Sequence, residues 1–461
     1  MQNKHKVLLR TIKALNVILM ILPFVLAWPA MYDRAQLMEV PGQTEVLLLL
    51  TISILYIMFG RVYDAFLMDV GRIHEIVYSQ MLAATVTDCF GFVTVWMIMG
   101  HLPALLPFLG ILPAQLFLSS VWSLCAHRWY FAHFPAKRTL IVTCDKAEAD
   151  QLAGISGFSK KFDLVDVLST DGLLRQPELL ENIDVIFLLR TSNAWAVMQL
   201  CAFKGITVYR TPYVSEIIAS RAKSVTLFHT PLLRMDGYSP RMSYVVLKRL
   251  IDVLASALAL ILLSPIMLIV AAAIKLCDGG PVFYRQERLT QGGKHFDILK
   301  FRSMRVNAEK DGVARLSTGE SDPRITPVGR WIRKLRLDEL PQLLNILKGD
   351  MSIVGPRPER PELTEEYARV LPEFKLRLLA KSGLTGYAQV YGKYNTPPED
   401  KLRMDLLYIL RPSLVEDLRI MLATIKILFV PESTEGVAEG QTSAMKDSSQ
   451  QDEQRKAASG S

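Results

Sequence analysis

Asp338 and Glu339 stand side by side in Arg333-Lys334-Leu335-Arg336-Leu337-Asp338-Glu339-Leu340-Pro341-Gln342, two carboxylates just after a cluster of cations. If this segment is a helix, adjacent acids point about 100° apart, so they suit two separate tasks and not a facing pair. Leu335, Leu337, Leu340, Leu343 and Leu344 give the segment an apolar face. On that pattern alone an amphipathic helix with ordinary surface acids is the simpler reading. The sequel, Gly355-Pro356-Arg357-Pro358, shifts the balance. Two prolines fix the backbone around Arg357 and forbid a helix, so its guanidinium is presented from a stiff turn. Such a fork suits a phosphate or diphosphate, although rigid proline turns also simply end domains.

The elements that must position these groups lie just upstream. Pro281–Arg288 and Gly292–Met304 alternate in polarity around Gly292-Gly293 and predict a β-hairpin. Lys300 and Arg302 share one face of its second strand; they either blunt a sheet edge or join the acids if the fold brings them there. Before the hairpin, Val253–Ile274 is a charge-free run of 22 residues with Ser264-Pro265 at its midpoint. Pro265 should kink this helix. Basic residues flank it on both sides (Lys248 and Arg249, then Lys275, Arg285 and Arg288), and positive flanks prefer the cytoplasm. The run is therefore expected to enter a bilayer and return. Tyr244-x-x-x-Lys248 has the spacing of a dehydrogenase acid/base pair, but no glycine-rich loop precedes it. It reads as a helix face, with Lys248 and Arg249 at the lipid surface. Leu414–Val430 is amphipathic and reads equally as a bilayer-surface helix or a core helix. An acid pair, a basic cluster, a proline-locked arginine and a membrane-dipping helix together point to phosphoryl chemistry on a lipid phosphate.

Composition agrees with a membrane setting. Half of the 461 residues are hydrophobic and 21% are charged, which excludes disorder, collagen and a plain soluble enzyme. Lys+Arg exceed Asp+Glu by 53 − 45 = +8, which points to an anionic membrane face or phosphorylated substrates, with no nucleic-acid partner. Five scattered cysteines and seven histidines show no metal-binding spacing, so any metal would be oxygen-ligated. Ala14–Tyr32, Val46–Gly60, Ile76–Met99 and Ala104–Cys125 are candidate spans. Lys4, Lys6, Arg10 and Lys13 precede the first, and Arg128, Lys137 and Arg138 follow the fourth, which places both ends in the cytoplasm. Asp88, inside the third span, is expected to pair within the bundle, beside Thr85 and Thr87.

Between the spans and the chemistry, Thr139–Val142, Leu164–Leu168, Val185–Leu189 and Ile206–Tyr209 read as strands separated by helices, hence a parallel sheet. The first strand runs into Thr143-Cys144-Asp145-Lys146-Ala147, without the glycines of a dinucleotide fingerprint. A Rossmann-like scaffold that senses, docks or dimerises fits better than a cofactor site.

From Lys248-Arg249 through Ser264-Pro265, Lys300-Phe301-Arg302-Ser303-Met304, Leu337-Asp338-Glu339-Leu340-Pro341-Gln342, Gly355-Pro356-Arg357-Pro358 and Gly383-Leu384-Thr385-Gly386-Tyr387-Ala388-Gln389-Val390, the chain resembles the polyprenyl-phosphate hexose-1-phosphate transferases, the large monotopic phosphoglycosyl transferases with a bacterial sugar transferase domain. The spans and the α/β unit look like that family's N-terminal extension, with the glycine-rich turn missing. The resemblance implies a two-step exchange using a UDP-sugar, Mg²⁺ and undecaprenyl phosphate. By motif position Asp338 would attack the β-phosphorus, release UMP and hold the phospho-sugar as an acyl phosphate. Glu339, with Asp338, would hold the metal; Arg357 would bind phosphate, with Lys300, Arg302 and Arg333 as further candidates.

The expected architecture is a membrane α-helical bundle (1–130), a Rossmann-like α/β domain (138–232), an α-rich monotopic catalytic domain with a re-entrant helix broken at Ser264 and Pro265 (243–437), and a disordered tail (438–461). It implies a multi-pass protein of the bacterial inner membrane with its catalytic domain on the cytoplasmic face, and leaves a homodimer open. Two other readings compete. A membrane-anchored nucleotide-sugar dehydratase or epimerase would need the missing fingerprint, and a non-enzymatic assembly or sensor protein would make the acid–arginine constellation a coincidence.

Overall fold

The structure, a computed structural model, describes residues 2–31, 42–68, 72–155, 157–191, 193–306, 322, 324–392 and 396–428. The expected tail lies outside them. The chain divides into two compact units, Met1–Thr211 and Pro212–Ser461.

The first unit opens with four helices, α1 (Gln2–Ala27), α2 (Gly42–Val62), α3 (Ile73–Met99) and α4 (Leu105–His133), each carrying a segment long and apolar enough to cross a membrane. Their interior is pinned by buried polar groups, because in an apolar solvent such groups must find partners inside the bundle. The Tyr56 hydroxyl donates to Asn16 Oδ1 at 2.9 Å and Ser119 Oγ to Gln80 Oε1 at 2.7 Å. Asp88 is buried and hydrogen-bonded to Gln115, so it does pair within the bundle. Thr85 and Thr87 are not its partners: both hydroxyls donate to carbonyls of their own helix, those of Met81 and Ala83.

Next in this unit come β1 (Lys137–Val142), α5 (Lys146–Ala153), β2 (Phe162–Leu168), α6 (Thr170–Arg175), β3 (Val185–Leu188), α7 (Ala194–Lys204) and β4 (Thr207–Arg210). The strands form one parallel sheet in the order β2-β1-β3-β4. At the end of β1, Asp145 caps α5 by accepting from the Ala147 N–H at 2.9 Å. A carboxylate thus occupies the helix N-terminus where a pyrophosphate would sit in a dinucleotide-binding turn.

The expected α/β domain, 138–232, is divided by the fold. Its sheet ends at Arg210, and α8 (Val214–Ala219) belongs to the second unit, where Ile217 is 3% exposed within a core shared with Leu402, Leu406 and Phe374. Burying Ile217 stabilises that core by about 1.5–3 kcal/mol. A chain beginning at Pro212 should accordingly melt several degrees above one beginning at Ser243 in the same detergent. Equal midpoints would show that α8 adds nothing to the core.

The second unit continues with the hairpin β5 (Lys223–Leu227) and β6 (Thr230–Arg234), then the long helix α9 (Met242–Asp278). The expected hairpin follows as β7 (Phe283–Leu289) and β8 (His295–Phe301), antiparallel, with Lys300 opposite Tyr284 and Arg288 opposite Phe296. After it come α10 (Pro327–Lys334), α11 (Gln342–Lys348), β9 (Ser352–Val354), α12 (Pro361–Val370), β10 (Gly383–Thr385), α13 (Tyr387–Tyr391), α14 (Pro398–Ile409) and α15 (Leu414–Leu428).

Helix α9 is one continuous helix of 37 residues with Pro265 inside it. Proline cannot donate to the carbonyl four residues back, and the Ser264 hydroxyl takes that carbonyl instead, donating to the Ile261 oxygen at 2.8 Å. Its outer face is apolar and open, with Ile261, Leu262, Leu268 and Ile269 each about two-thirds exposed (71, 66, 70 and 68%). The inner face is tied to the globular body at both ends. Lys248 Nζ meets Asp417 Oδ2 at 3.0 Å, Asp252 Oδ1 accepts the Ile353 N–H at 3.0 Å, and Arg249 donates to the Ile346 and Leu347 carbonyls at 2.6 and 2.8 Å. At the far end Arg302 pairs with Asp278, and Val270 and Ile274 pack with Phe301 and Ile332. Lys248 and Arg249 are therefore anchors to protein and not lipid-surface residues. The Tyr244 hydroxyl joins Lys248 on the Asp417 carboxylate at 3.0 Å, which gives the Tyr-x-x-x-Lys spacing a structural job. Helix α15 is a core helix on this side, with Asp417, Ile420 and Ala423 buried, while Val415 and Leu418 on its other face are exposed.

Candidate active site

Asp338 and Glu339 do not sit inside an amphipathic helix. Helix α10 starts at Thr326, whose hydroxyl accepts the Gly329 N–H at 2.9 Å, and stops where Arg336 takes a left-handed backbone at φ +54°. That conformation is costly for a side chain other than glycine. It turns the chain into a 3₁₀ turn, Leu337–Glu339, and Pro341 then starts α11. Leu337 and Leu340 anchor the turn by packing inward with Phe301 and Ile332. Arg249 closes the other end of α11 through its last carbonyls, an interaction the helix dipole favours.

This turn places the two acids in different surroundings. Glu339 Oε1 accepts from Lys300 Nζ at 3.2 Å and from Arg357 Nη2 at 3.1 Å. Burial alone would raise its pKa, but Lys300 and Arg357, with Arg336 nearby, hold the carboxyl far below the usual range. Asp338 accepts no hydrogen bond from any described residue. Burial raises its pKa, opposed by Lys300, Arg333 and Arg357 and reinforced by the Glu339 charge. One acid is thus a fixed anion that orients two cations, and the other is an unencumbered carboxylate amid positive charge.

Four of the sequence candidates, Asp338, Glu339, Lys300 and Arg357, converge here, and Arg333 acts on Asp338 from α10. Arg302 does not join them. Its guanidinium is turned to Asp278 and packs against Gly280, and it is only 6% exposed, so it ties the end of α9 to β8 instead of meeting a phosphate.

The stiff turn bearing Arg357 is held by backbone packing that its prolines alone could not supply. Strands β9 and β10 pair in parallel, and a Cβ added at Gly355 would lie 2.2 Å from the Lys381 carbonyl oxygen, one at Gly383 2.1 Å from the Gly355 nitrogen. The Gly383-Leu384-Thr385-Gly386 motif is thus the backbone mate of Gly355-Pro356-Arg357-Pro358. Beneath it, Arg377 donates to the Arg357 carbonyl at 3.1 Å and to Asp405 Oδ2 at 2.7 Å, and meets Glu359 at 3.6 Å. Sequence reasoning missed Arg377, Asp405 and Glu359, as well as Asp252 and Asp417, and it took Arg249 for a lipid-surface residue. Their partners lie from 18 to about 170 residues away, and no local spacing announces them.

No three His, Cys, Asp or Glu side chains converge as a metal site among the described residues. Asp338 and Glu339 supply hard carboxylate oxygens, and magnesium is commonly held by one or two carboxylates completed by substrate phosphates. With Glu339 Oε1 already engaged by two cations, the donor set fits an ion that arrives with a diphosphate, not one held by protein alone.

Residues 243–431 match the family described as bacterial sugar transferase. A UDP-N-acetylgalactosamine-undecaprenyl-phosphate N-acetylgalactosaminephosphotransferase of Aeromonas hydrophila is 39% identical over 231 residues, 50% of this chain and 53% of that protein. A UDP-glucose:undecaprenyl-phosphate glucose-1-phosphate transferase of Caulobacter vibrioides is 42% identical over 206 residues, 44% of this chain and 76% of its relative. An undecaprenyl-phosphate galactose phosphotransferase of Salmonella typhimurium is 36% identical over 240 residues, 49% of this chain and 48% of that protein. The chain spans about half the length of the Aeromonas and Salmonella relatives, and the family match at 243–431 takes in the acid turn and the Arg357 loop. Since the chain also covers three-quarters of the Caulobacter protein at 42% identity, it belongs to the bacterial sugar transferase family.

Proposed function

We propose that this protein transfers a sugar-1-phosphate from a UDP-sugar to undecaprenyl phosphate and releases UMP, as the first membrane step of exopolysaccharide, capsule or O-antigen synthesis. The observation that carries the reading is Asp338: a half-buried carboxylate that accepts no hydrogen bond from any described residue, amid the charges of Lys300, Arg333 and Arg357 and beside a pinned Glu339. An Asp338 oxygen attacks the β-phosphorus, and the bond from that phosphorus to the bridging oxygen breaks with its electrons leaving on UMP. A lipid phosphate oxygen then attacks the same phosphorus. The Asp338–phosphorus bond breaks, the carboxylate returns and a lipid diphosphate sugar is formed. Splitting one transfer between two bulky anions into two displacements is what a carboxylate nucleophile offers. Lys300, Arg333 and Arg357 offset the phosphate charge, and Glu339 keeps Lys300 and Arg357 in place. Mg²⁺, held by Asp338 and Glu339 together with the diphosphate, would supply further charge neutralisation.

Helix α9 supports a membrane arrangement to go with this reaction. Both of its ends pack on one body while its middle presents an apolar face, which suits a helix that enters the bilayer from one side and returns. That body then lies on the cytoplasmic face of the inner membrane, where UDP-sugars are found. The four-stranded parallel sheet fits a Rossmann-like scaffold for docking or dimerisation, with Asp145 in the place of a cofactor phosphate.

Mixing the purified protein with undecaprenyl phosphate and a panel of UDP-sugars tests the reading. UMP release and a lipid-linked sugar with at least one donor are expected, and their absence with every donor would overturn it. The panel is needed because the relatives named above use N-acetylgalactosamine, glucose and galactose at similar identity.

Burial of Asp338 also fixes the direction of the pH profile. A nucleophile must be ionised, and a raised pKa means that the ionised form is lost as pH falls through a value above the ordinary aspartate pKa of about 3.9. Lys300 is the largest opposing charge on Asp338. The acid limb of kcat/KM should therefore move to higher pH in Lys300→Met; an unmoved limb would mean that another group sets it.

A further inference from the structure

Arg357 meets Glu339 with a side chain that is still 41% exposed, so its guanidinium keeps its place through the backbone that carries it and not through burial. Three successive carbonyls of that backbone are each taken. Pro356 accepts the Gly383 N–H at 2.9 Å, Arg357 accepts from Arg377 Nη2 at 3.1 Å, and Pro358 accepts from Arg288 Nη1 at 3.2 Å. The middle bond falls on the residue that faces the acids, and a side chain 20 positions along the sequence makes it.

Arg377 is itself fixed from the core. It is 5% exposed, stands 4.8 Å over the Phe374 ring, donates from Nε to Asp405 Oδ2 at 2.7 Å and meets Glu359 with Nη1 at 3.6 Å. Asp405, 1% exposed, comes from α14, whose Leu402, Leu406 and Ile409 are fully buried, and it also accepts from the backbone of Ala388. A buried ion pair is weak evidence of a stabilising role, because desolvating both charges offsets most of what their attraction returns, and well-packed apolar residues in their place are often neutral or stabilising. What an apolar pair cannot do is donate to the Arg357 carbonyl. We propose that Arg377, held by Asp405, is a positioning residue that sets where Arg357 presents its guanidinium to the acids and to the substrate phosphates. Arg377 touches no substrate and acts only through Arg357. The proposal rests on the transferase reading above.

The test replaces the pair together, Arg377→Met with Asp405→Leu, in the full-length protein. This removes one positive and one negative charge and leaves Glu359 with Arg288 and Lys401 acting on it, so the thermal midpoint should stay within a few degrees of the wild type. The kcat/KM for UMP release should nonetheless fall by about a hundredfold, the scale of a 1 Å misplacement at a reacting centre. The fall should appear in the same parameter, kcat or KM for the UDP-sugar, in which Arg357→Ala falls. A double-mutant cycle then separates positioning from general loosening. In the Arg357→Ala background the pair replacement should cost less than about threefold, because the group it positions is already gone. Arg377→Lys keeps a charge for Asp405 but lacks the fork that reaches the Arg357 carbonyl as well; it should show the same loss and the same cycle, and it decides the matter if the pair variant does not fold. Near-wild-type kcat/KM in these variants, or losses that multiply in full with that of Arg357→Ala, would overturn the proposal. Failure of the transferase reading is read separately: the wild-type protein would then release no UMP from any donor.

Discussion

Asp338→Asn should lower UMP release by roughly a thousandfold or more, because the amide keeps the shape of the side chain but cannot form an acyl phosphate. The same change should leave thermal stability equal or slightly higher. Burial raises the Asp338 pKa, so its ionised form is disfavoured by the fold, and removing the charge relieves that cost at neutral pH. Glu339→Gln should behave in the opposite way. Its carboxyl is held low by Lys300 and Arg357, so its charge stabilises the fold above the unfolded pKa, and the amide removes the carboxylate that these two cations share. Activity lost with stability kept at 338, against stability lost at 339, distinguishes a nucleophile from a structural anion. Incubation with a UDP-sugar alone should leave the mass of a phospho-sugar on the peptide containing Asp338, and none in Asp338→Asn. Near-normal turnover of Asp338→Asn would remove it from the chemistry.

Much of this site was legible in the sequence, for physical reasons. Hydrophobic runs of membrane length and period-2 alternation are local signals, and the four spans, the parallel strands and the β7–β8 hairpin follow them closely. Arg357 between two prolines was legible because proline restricts its neighbours whatever the tertiary context. What local pattern could not carry was conformation imposed from a distance. The leucine spacing around Asp338 reads as one helix, but Arg336 in the left-handed region and the inward packing of Leu337 and Leu340 break it into helix, 3₁₀ turn and helix. Arg302, two residues after Lys300 and just past the end of β8, looked equivalent to it; only the approach of Asp278 at the end of α9 gives it a different task. The charges of α9 illustrate the same point. Positive flanks of an apolar run read as lipid-facing, whereas Lys248, Arg249 and Asp252 are spent on Asp417, the end of α11 and the backbone of β9.

Those anchors also set the expected result of replacing Ser264 and Pro265 together with Ala and Leu. In the native helix the Ile261 carbonyl, which Pro265 cannot serve, is taken by the Ser264 hydroxyl at 2.8 Å, a local arrangement that lets an apolar helix bend at modest cost. With Ala-Leu the regular backbone bond returns, and the helix is expected to straighten. A helix of 37 residues at 1.5 Å each would extend about 55 Å, well beyond a hydrocarbon core of about 30 Å. A straight crossing cannot keep Lys248 on Asp417 and Asp278 on Arg302 at once, because both partners belong to one body. The variant should therefore either cross, with one set of anchors broken and activity at background, or be rejected by the membrane. Single cysteines at Val246 and Lys294, in a chain whose own cysteines are replaced, report the outcome through a membrane-impermeant label applied to each side. In the native sequence both should label from the same side, and in the Ala-Leu variant from opposite sides. Opposite-side labelling of the native sequence would refute re-entry; same-side labelling with full activity in the variant would move the cause of the return from the Ser-Pro hinge to the anchors at the two ends of α9.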